Sequence, residues 1–281
     1  MSLRGKICLI TGASFGIGRE TALALARQQA HVIIGGRDLE RTRKTQEWLI
    51  KESQNDKVDF LIADLSSLKE VRKLAAEFKR KFSRLDVLIN NAGGVFTKRE
   101  LTVDGFEHTW ALNHLSYFLL TLELQDILKA SAPSRIVNVA SGAHKRGTID
   151  FENLQGEKEF KPFIIYSTTK LANILFTYAL ARRLAGTGVT ANCLHPGVVS
   201  TGFGKNNPGL MKLFLVLAKP FLLTAKEGAE TSIYLANSSE VEGVTAKYFV
   251  KSKAQASSAE SLNVDLQERL WTLSLHQVQS A

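Results

Sequence analysis

Cysteine, methionine and proline are scarce in this 281-residue chain, with two, two and five copies. Cys8 and Cys193 each sit inside an apolar, strand-like run, which excludes a small disulfide-stapled fold. Five prolines and no Pro/Gly-rich tract leave no linker, so a single domain spanning residues 1–281 is expected. Long hydrophobic runs are missing as well. None approaches the roughly 18–20 residues of a membrane-spanning helix. Lys6-Ile7-Cys8-Leu9-Ile10 already reads as a strand with no small-residue cleavage site before it, so no secretory leader is expected and a cytoplasmic location is. The six histidines (His31, His108, His114, His144, His195 and His276) lack the i, i+4 pairing or cysteine partners of metal sites, so no metal is expected and none is given a role. Asp150 and Glu152 have no nearby acid/base partner in the sequence. Acid is in shorter supply than base, 27 residues against 36, for a net charge of +9. The excess is spread along helical stretches such as Arg41-Thr42-Arg43-Lys44 and Lys79-Arg80-Lys81, without aromatic interleaving. These are solvated helix faces, and no nucleic-acid partner is expected.

What the chain does have is alternation. β-branched runs at 5–11, 31–36, 57–63, 86–90, 134–140, 188–194 and near 246–250 are separated by amphipathic stretches at about 16–29, 39–53, 67–82, 102–130, 163–186 and 226–237. Strand and helix in regular exchange predict an α/β, doubly wound parallel sheet of about seven strands with helices on both faces. Runs such as Val32-Ile33-Ile34 are continuously apolar, as doubly covered strands should be. Two segments interrupt the pattern: a polar, turn-rich stretch at 142–162 and an apolar one at 202–225. The second reads as a substrate lid, with a peripheral membrane contact through 208–223 as the alternative. A tail from about 252 ends in a helical stretch near Leu266–Leu275.

Thr11-Gly12-Ala13-Ser14-Phe15-Gly16-Ile17-Gly18 joins the first strand to the first helix. Glycines there let backbone approach a pyrophosphate, and the helix start offers unpaired amides. The ribose end separates NAD from NADP, since an acid at the close of the second strand binds a 2′-hydroxyl and an arginine accepts a 2′-phosphate. The strand closes on Gly35-Gly36-Arg37, and Asp38 suits a helix cap better. Arg37, with Arg19 as a helper, therefore points to NADP(H).

Tyr166 and Lys170 stand four residues apart on an expected helix, hence on one face. An ammonium beside a phenol favours the phenolate and readies the pair for proton transfer near neutral pH. Alone, such a pair is commonplace. Together with Thr11–Gly18, Asn90-Asn91-Ala92-Gly93, Asn113, Ser141 and Pro196-Gly197, all in the family's order, the sequence resembles the short-chain dehydrogenase/reductase superfamily over about residues 3 to 252. The resemblance implies a Rossmann-type fold and hydride exchange between a nicotinamide and a carbonyl or alcohol. It implies that Ser141 bonds the substrate oxygen, Tyr166 donates the proton, and Lys170 holds the ribose and lowers the Tyr166 pKa. Asn113 would support a water relay. Asp64 and Leu65 would meet the adenine, Asn91, Ala92 and Gly93 would line the cofactor, and Val199 and Thr201 beyond Pro196-Gly197 would touch the carboxamide and phosphates.

Further stretches, among them Leu171-Ala172-Asn173-Ile174-Leu175-Phe176, His195-Pro196-Gly197-Val198-Val199 and Gly243-Val244-Thr245-Ala246-Lys247-Tyr248-Phe249, resemble the retinol dehydrogenase group. That likeness implies NADPH and an apolar aldehyde or ketone such as retinal. Many of those enzymes carry an N-terminal hydrophobic anchor, and none is expected here. A steroid, quinone or xenobiotic carbonyl reductase would use the same site, and a silent NADP(H)-binding sensor would share all but turnover. Many members of the family pair through the helix matching that of Tyr166 and the one before it, so the resemblance leaves a homodimer or homotetramer open.

Overall fold

The computed structural model describes residues 3–199 and 223–280. Seven parallel strands form at the apolar runs: β1 Ile7–Thr11, β2 His31–Gly36, β3 Val58–Ile62, β4 Val87–Asn90, β5 Ser134–Val139, β6 Val189–His195 and β7 Tyr248–Val250. An eighth, β8 Lys253–Gln255, folds back antiparallel on β7, giving the order β3-β2-β1-β4-β5-β6-β7-β8. The sequence expectation ended one strand short. The hairpin turn Lys251-Ser252 holds both residues at positive φ, 51° and 59°, as a two-residue I′ turn demands. Its sequence lacks the Asn-Gly or Gly that usually announces one, and the Ser252 amide is held by Thr231 Oγ1 at 3.1 Å.

Alternate side chains of each strand feed two cores. Ile10, Ile34 and Val137 meet α1 Gly16–Arg27, α2 Leu39–Ser53 and α8 Ala225–Asn237 on one face. Leu9, Ile33, Leu88 and Ile136 meet α3 Leu68–Lys81, α5 Ser116–Glu123 and α7 Pro162–Arg183 on the other. Each such buried aliphatic contributes about 1.5–3 kcal/mol. The sheet order reverses direction between β1 and β4, so the loops leaving their C-terminal ends diverge and open a crevice.

The single helix expected over 102–130 is divided. Asp104-Gly105, with Gly105 at φ 80°, makes a turn closed by a Leu101–Glu107 bridge. Glu107 then caps α4 His108–Trp110, accepting from the Trp110 amide at 2.8 Å. A π turn, Ala111–Leu115, follows before α5, and α6 Gln125–Ala130 is separate again. The polar interruption after β5 begins with a 3-10 turn, Gly142–Arg146. Beyond β8 the tail is ordered into a 3-10 turn, Glu260–Leu262, and α9 Val264–Gln279.

α9 forms an outer layer on α7 and α5. Trp271 packs edge-on against Phe118 (4.9 Å between centroids) and stacks with Phe176 (5.9 Å), while Gln277 Oε1 accepts from the Trp110 indole at 3.1 Å. α9 thus covers the Phe118 side of α5 and the Phe176 side of α7. The lid segment at 202–225 falls almost wholly outside the described residues.

Candidate active site

The β1–α1 turn is shaped first by its neighbour. Asn91 Nδ2 donates to the carbonyls of Thr11 (2.8 Å) and Gly12 (3.1 Å), and Thr11 Oγ1 accepts the amides of Asn91 (2.9 Å) and Ala92 (3.1 Å). Side chains cannot enter this joint. A Cβ on Gly12, which stands at φ 63°, would lie 2.7 Å from the Ala92 Cα, and one on Gly18 would lie 2.5 Å from Asn91 Nδ2. The turn therefore presents backbone outward. Phe15 occupies the cap position of α1 without a capping side-chain bond, which leaves first-turn amides for an anionic ligand.

A cavity of about 1230 Å³ runs along the C-terminal ends of the strands. It exceeds the roughly 300–1,000 Å³ of ordinary ligand pockets, room for a dinucleotide and a second molecule. Gly12, Ser14, Phe15, Gly16, Ile17 and Gly18 line one end, with Arg37, Asp64 and Leu65 beside them. Asn91, Ala92 and Gly93 form the middle, and Ser141, Tyr166, Lys170, Pro196, Gly197 and Val199 the far part. Thr201 lies outside the described residues. A smaller depression of about 440 Å³ beside the edge strand β3 holds none of these residues.

At the ribose end, Arg37 is mostly exposed and its Nη1 sits 3.8 Å from Asp64 Oδ2. Burial would raise the Asp64 pKa, but hydrogen bonds from the Ser66 amide and hydroxyl, together with the Arg37 charge, hold it below the usual range. Asp38 caps α2, accepting from the Arg41 amide at 2.8 Å. Arg19 is turned away: it pairs with Glu20 at 2.9 Å and lies over the Trp48 ring at 4.4 Å. Arg41 lines the cavity instead. It lies in the first turn of α2, four residues after Arg37, among basic neighbours that hide it in the sequence.

α7 brings Tyr166 and Lys170 to the cavity, both almost wholly buried. Lys170 Nζ donates to the Val139 carbonyl at 3.0 Å and stands 5.6 Å from the Tyr166 ring centre. Burial, with no carboxylate at hand to offset it, brings the lysine down to about 7. Burial also pushes Tyr166 up to about 12, against a hydrogen bond with Ser141 that favours its anion. In the ligand-free protein burial outweighs the Ser141 bond, and the phenol is raised.

Asn113 sits in the π turn, fully buried. Its Oδ1 accepts the Gly94 amide (2.9 Å), and its Nδ2 donates to the Gly94 carbonyl (2.9 Å) and to Thr169 Oγ1 (3.1 Å). Its own carbonyl accepts from Asn173 Nδ2 at 2.9 Å. The residue clamps the Gly93-Gly94 segment, so a water relay would have only remaining lone pairs to use. His114 beside it is neutral, brought down to about 4 by burial, between Ser274 and Asn173.

Two histidines set aside in the sequence meet here. His195 lines the cavity with its ring against Gly142, where a Cβ would lie 3.2 Å from Nε2. Its Nδ1 has no hydrogen-bond partner among the described residues. His144 lies beneath Ser141, with Nδ1 2.7 Å from the Ser141 carbonyl. No cluster able to hold a metal ion occurs among the described residues.

A backbone cradle at the sheet's turning point, with a tyrosine, a lysine and a serine at its far end, is suited to redox chemistry on a bound dinucleotide. The short chain dehydrogenase family model matches residues 6–209, and the chain belongs to that family of oxidoreductases. Within it the chain stands with the retinol dehydrogenase group. It is 44% identical to human retinol dehydrogenase 14 over 97% of this chain and 86% of that protein. Mouse retinol dehydrogenase 12 is 41% identical, over 98% and 86% of the two chains. Among solved structures, a protein from Mycobacterium paratuberculosis superposes with a TM-score of 0.79 at 30% identity, covering 99% of this chain and 95% of the other. The Pseudomonas aeruginosa RhlG/NADP active-site complex gives 0.70 at 27%, covering 88% and 95%.

Proposed function

We propose that this oxidoreductase uses NADP(H) to interconvert an apolar aldehyde or ketone and its alcohol, with retinal and retinol as the leading pair. The observation that carries the reading is the convergence of Ser141, Tyr166 and Lys170 on one wall of the cavity that begins at the glycine turn. Bound along that crevice, NADPH supplies the hydride. Amides of the β1–α1 turn fit its pyrophosphate, since α1 follows Phe15 without a side-chain cap and the turn lines the cavity. Arg37 and Arg41 fit a 2′-phosphate, and the nearby carboxylates of Asp38 and Asp64 are engaged by the Arg41 amide and by Ser66. RhlG, a relative by fold, carries NADP in its solved complex.

The chain's own residues then manage the proton. Tyr166, a phenol that burial raises further, is protonated at neutral pH and can give its proton to a substrate oxygen held by Ser141. Lys170, near its own midpoint at neutral pH, can restore that proton or hold a ribose hydroxyl. Asn113 fixes the Gly93-Gly94 wall opposite. Val95, Phe96, Leu112 and Phe163 favour an apolar substrate body, in keeping with the names of the retinol dehydrogenase relatives. Free buried thiols at Cys8 and Cys193 fit a reducing compartment, and we place the enzyme in the cytoplasm. No helix among the described residues is long and apolar enough to cross a membrane.

NADPH absorbance, followed with all-trans-retinal and a panel of aliphatic, aromatic, steroid and quinone carbonyls, tests the reading against NADH. Oxidation of NADPH on retinal is the expected result, with Tyr166→Phe slower by roughly 10²–10⁴-fold while dinucleotide binding persists. Turnover of steroids or quinones alone would move the substrate to that class. Binding without turnover on any carbonyl would replace the enzyme reading with that of a silent sensor.

A further inference from the structure

Ser141 can hold a substrate oxygen only if its hydroxyl is aimed, and within its turn its carbonyl accepts the His144 amide and its Oγ the Ala143 amide, both at 3.2 Å. It is the cap of the Gly142–Arg146 turn in extended conformation (φ −162°, ψ 156°), followed by a glycine. One side chain adds to these backbone bonds. The His144 ring, wholly buried, lies directly under the turn with Nδ1 2.7 Å from the Ser141 carbonyl. On the other side of the ring, the backbone amide of Ser258 donates to Nε2 at 3.1 Å. An amide is only a donor, so Nε2 must carry the lone pair and Nδ1 the proton. The tautomer is thereby fixed, and Nδ1–H donates to Ser141. Tyr248 packs edge-on at 5.0 Å and keeps the ring in plane.

The amide that fixes His144 belongs to a segment with its own anchors. Ser257 Oγ is bonded to Tyr178 of α7 (2.8 Å) and to Ser261 (2.6 Å), and the Ser261 amide donates to the Ser258 carbonyl at 3.0 Å. Glu260 Oε1 takes the amide of Ile149, downstream of the same turn, at 3.1 Å. The turn is also set against α7, since a Cβ on Gly147 would lie 2.4 Å from the Ser167 carbonyl and Thr168 Oγ1 donates to the Thr148 carbonyl at 3.0 Å. Besides its direct hydrogen bond with Tyr166, Ser141 is thus tied to α7 through one histidine and a stretch of chain beyond the sheet.

We infer that His144 is a positioning residue for the reaction: its Nδ1–H, oriented by the Ser258 amide, clamps the Ser141 carbonyl and so aims the Ser141 hydroxyl at the oxygen that Tyr166 protonates. The inference rests on the carbonyl-reductase reading of the Ser141–Tyr166 pair. Burial brings the His144 pKa down, which keeps the ring in the neutral form that both bonds require.

Three substitutions separate the two ring nitrogens. His144→Asn puts an amide donor where Nδ1–H stands and gives up the bond to Ser258. His144→Gln can still accept from Ser258 but is displaced from the Ser141 carbonyl, and His144→Phe keeps the ring and loses both bonds. The expected result is a kcat within about threefold of wild type for Asn and about tenfold or more below it for Gln and Phe, with dinucleotide Kd unchanged throughout. Amide hydrogen exchange of Ala143, whose N–H is bonded to Ser141 Oγ at 3.2 Å, is measured alongside. It should be faster in Gln and Phe than in Asn. Equal kcat in all three variants, or an Asn variant as impaired as Phe, overturns the inference. Should the wild-type protein turn over no carbonyl, the functional reading fails, and the exchange order alone then decides whether the clamp exists.

Discussion

Replacing Lys170 with methionine should make the ligand-free protein more stable at neutral pH while destroying its activity. The lysine is 4% exposed, its one hydrogen bond among the described residues goes to a carbonyl, and its pKa falls from 10.5 to about 7 on folding. Between those two pH values the unfolded chain holds a proton that the folded one has released, so wild-type stability rises with pH across that window. The penalty is absent above pH 10.5 and fully developed below pH 7. At about 1.4 kcal/mol for each pH step crossed, the wild type should gain about 2 kcal/mol between pH 7 and pH 9 from this group. Methionine fills a similar volume and does not titrate. It forfeits the bond to Val139, about 1 kcal/mol at every pH. Tyr166 and Tyr117, whose pKa values are raised by burial, release protons above this range and leave it undisturbed. Urea unfolding of both proteins at pH 7 and pH 9, without dinucleotide, measures the difference directly. Lys170→Met should be the more stable at pH 7, with its lead shrinking by about 2 kcal/mol at pH 9. A gap that stays constant, or widens with pH, would refute the argument that Lys170 is held in a dry site without a countercharge.

Arg37→Ala and Arg41→Ala should each weaken NADPH binding by roughly tenfold or more, the worth of one charge-assisted bond, and leave NADH binding little changed. Isothermal titration with both dinucleotides checks this, and equal losses for the two would remove the 2′-phosphate assignment. Gly18→Ala should cost both stability and dinucleotide affinity, because the new methyl would sit 2.5 Å from Asn91 Nδ2 and 2.6 Å from the Gly12 carbonyl. Thermal melts with and without NADPH test it, and a wild-type melting temperature with intact binding would count against the close-packed joint.

The elements that could be read in the sequence are those whose signal is local. Val32-Ile33-Ile34 announces a buried strand, the glycines after β1 announce a turn that must be bare, and Tyr166 with Lys170 share a face by helical spacing alone. Arg41 escaped notice because its neighbours are also basic, and only the fold decides which of them faces the crevice; Arg19 was drawn off by Glu20 and Trp48 for the same reason. The Lys251-Ser252 turn was illegible because its left-handed residues are held by Thr231, some twenty positions earlier. His144 was invisible for a stronger reason. Its partner is the amide of Ser258, a group that every residue but proline carries and that no sequence pattern marks.

The outer helix α9 has a consequence for how the chain is made. Phe176 and the α7 face around it are complete once about 185 residues have been synthesised, but Trp271, which covers that face, arrives some 90 residues later. During that interval a nascent chain carries its Tyr166 helix with an apolar flank open to water, the kind of surface that makes incomplete chains prone to aggregate. Release into the finished state therefore waits on the last helix, and a ribosome that stops short of it delivers a protein with its sheet built and its flank still adhesive.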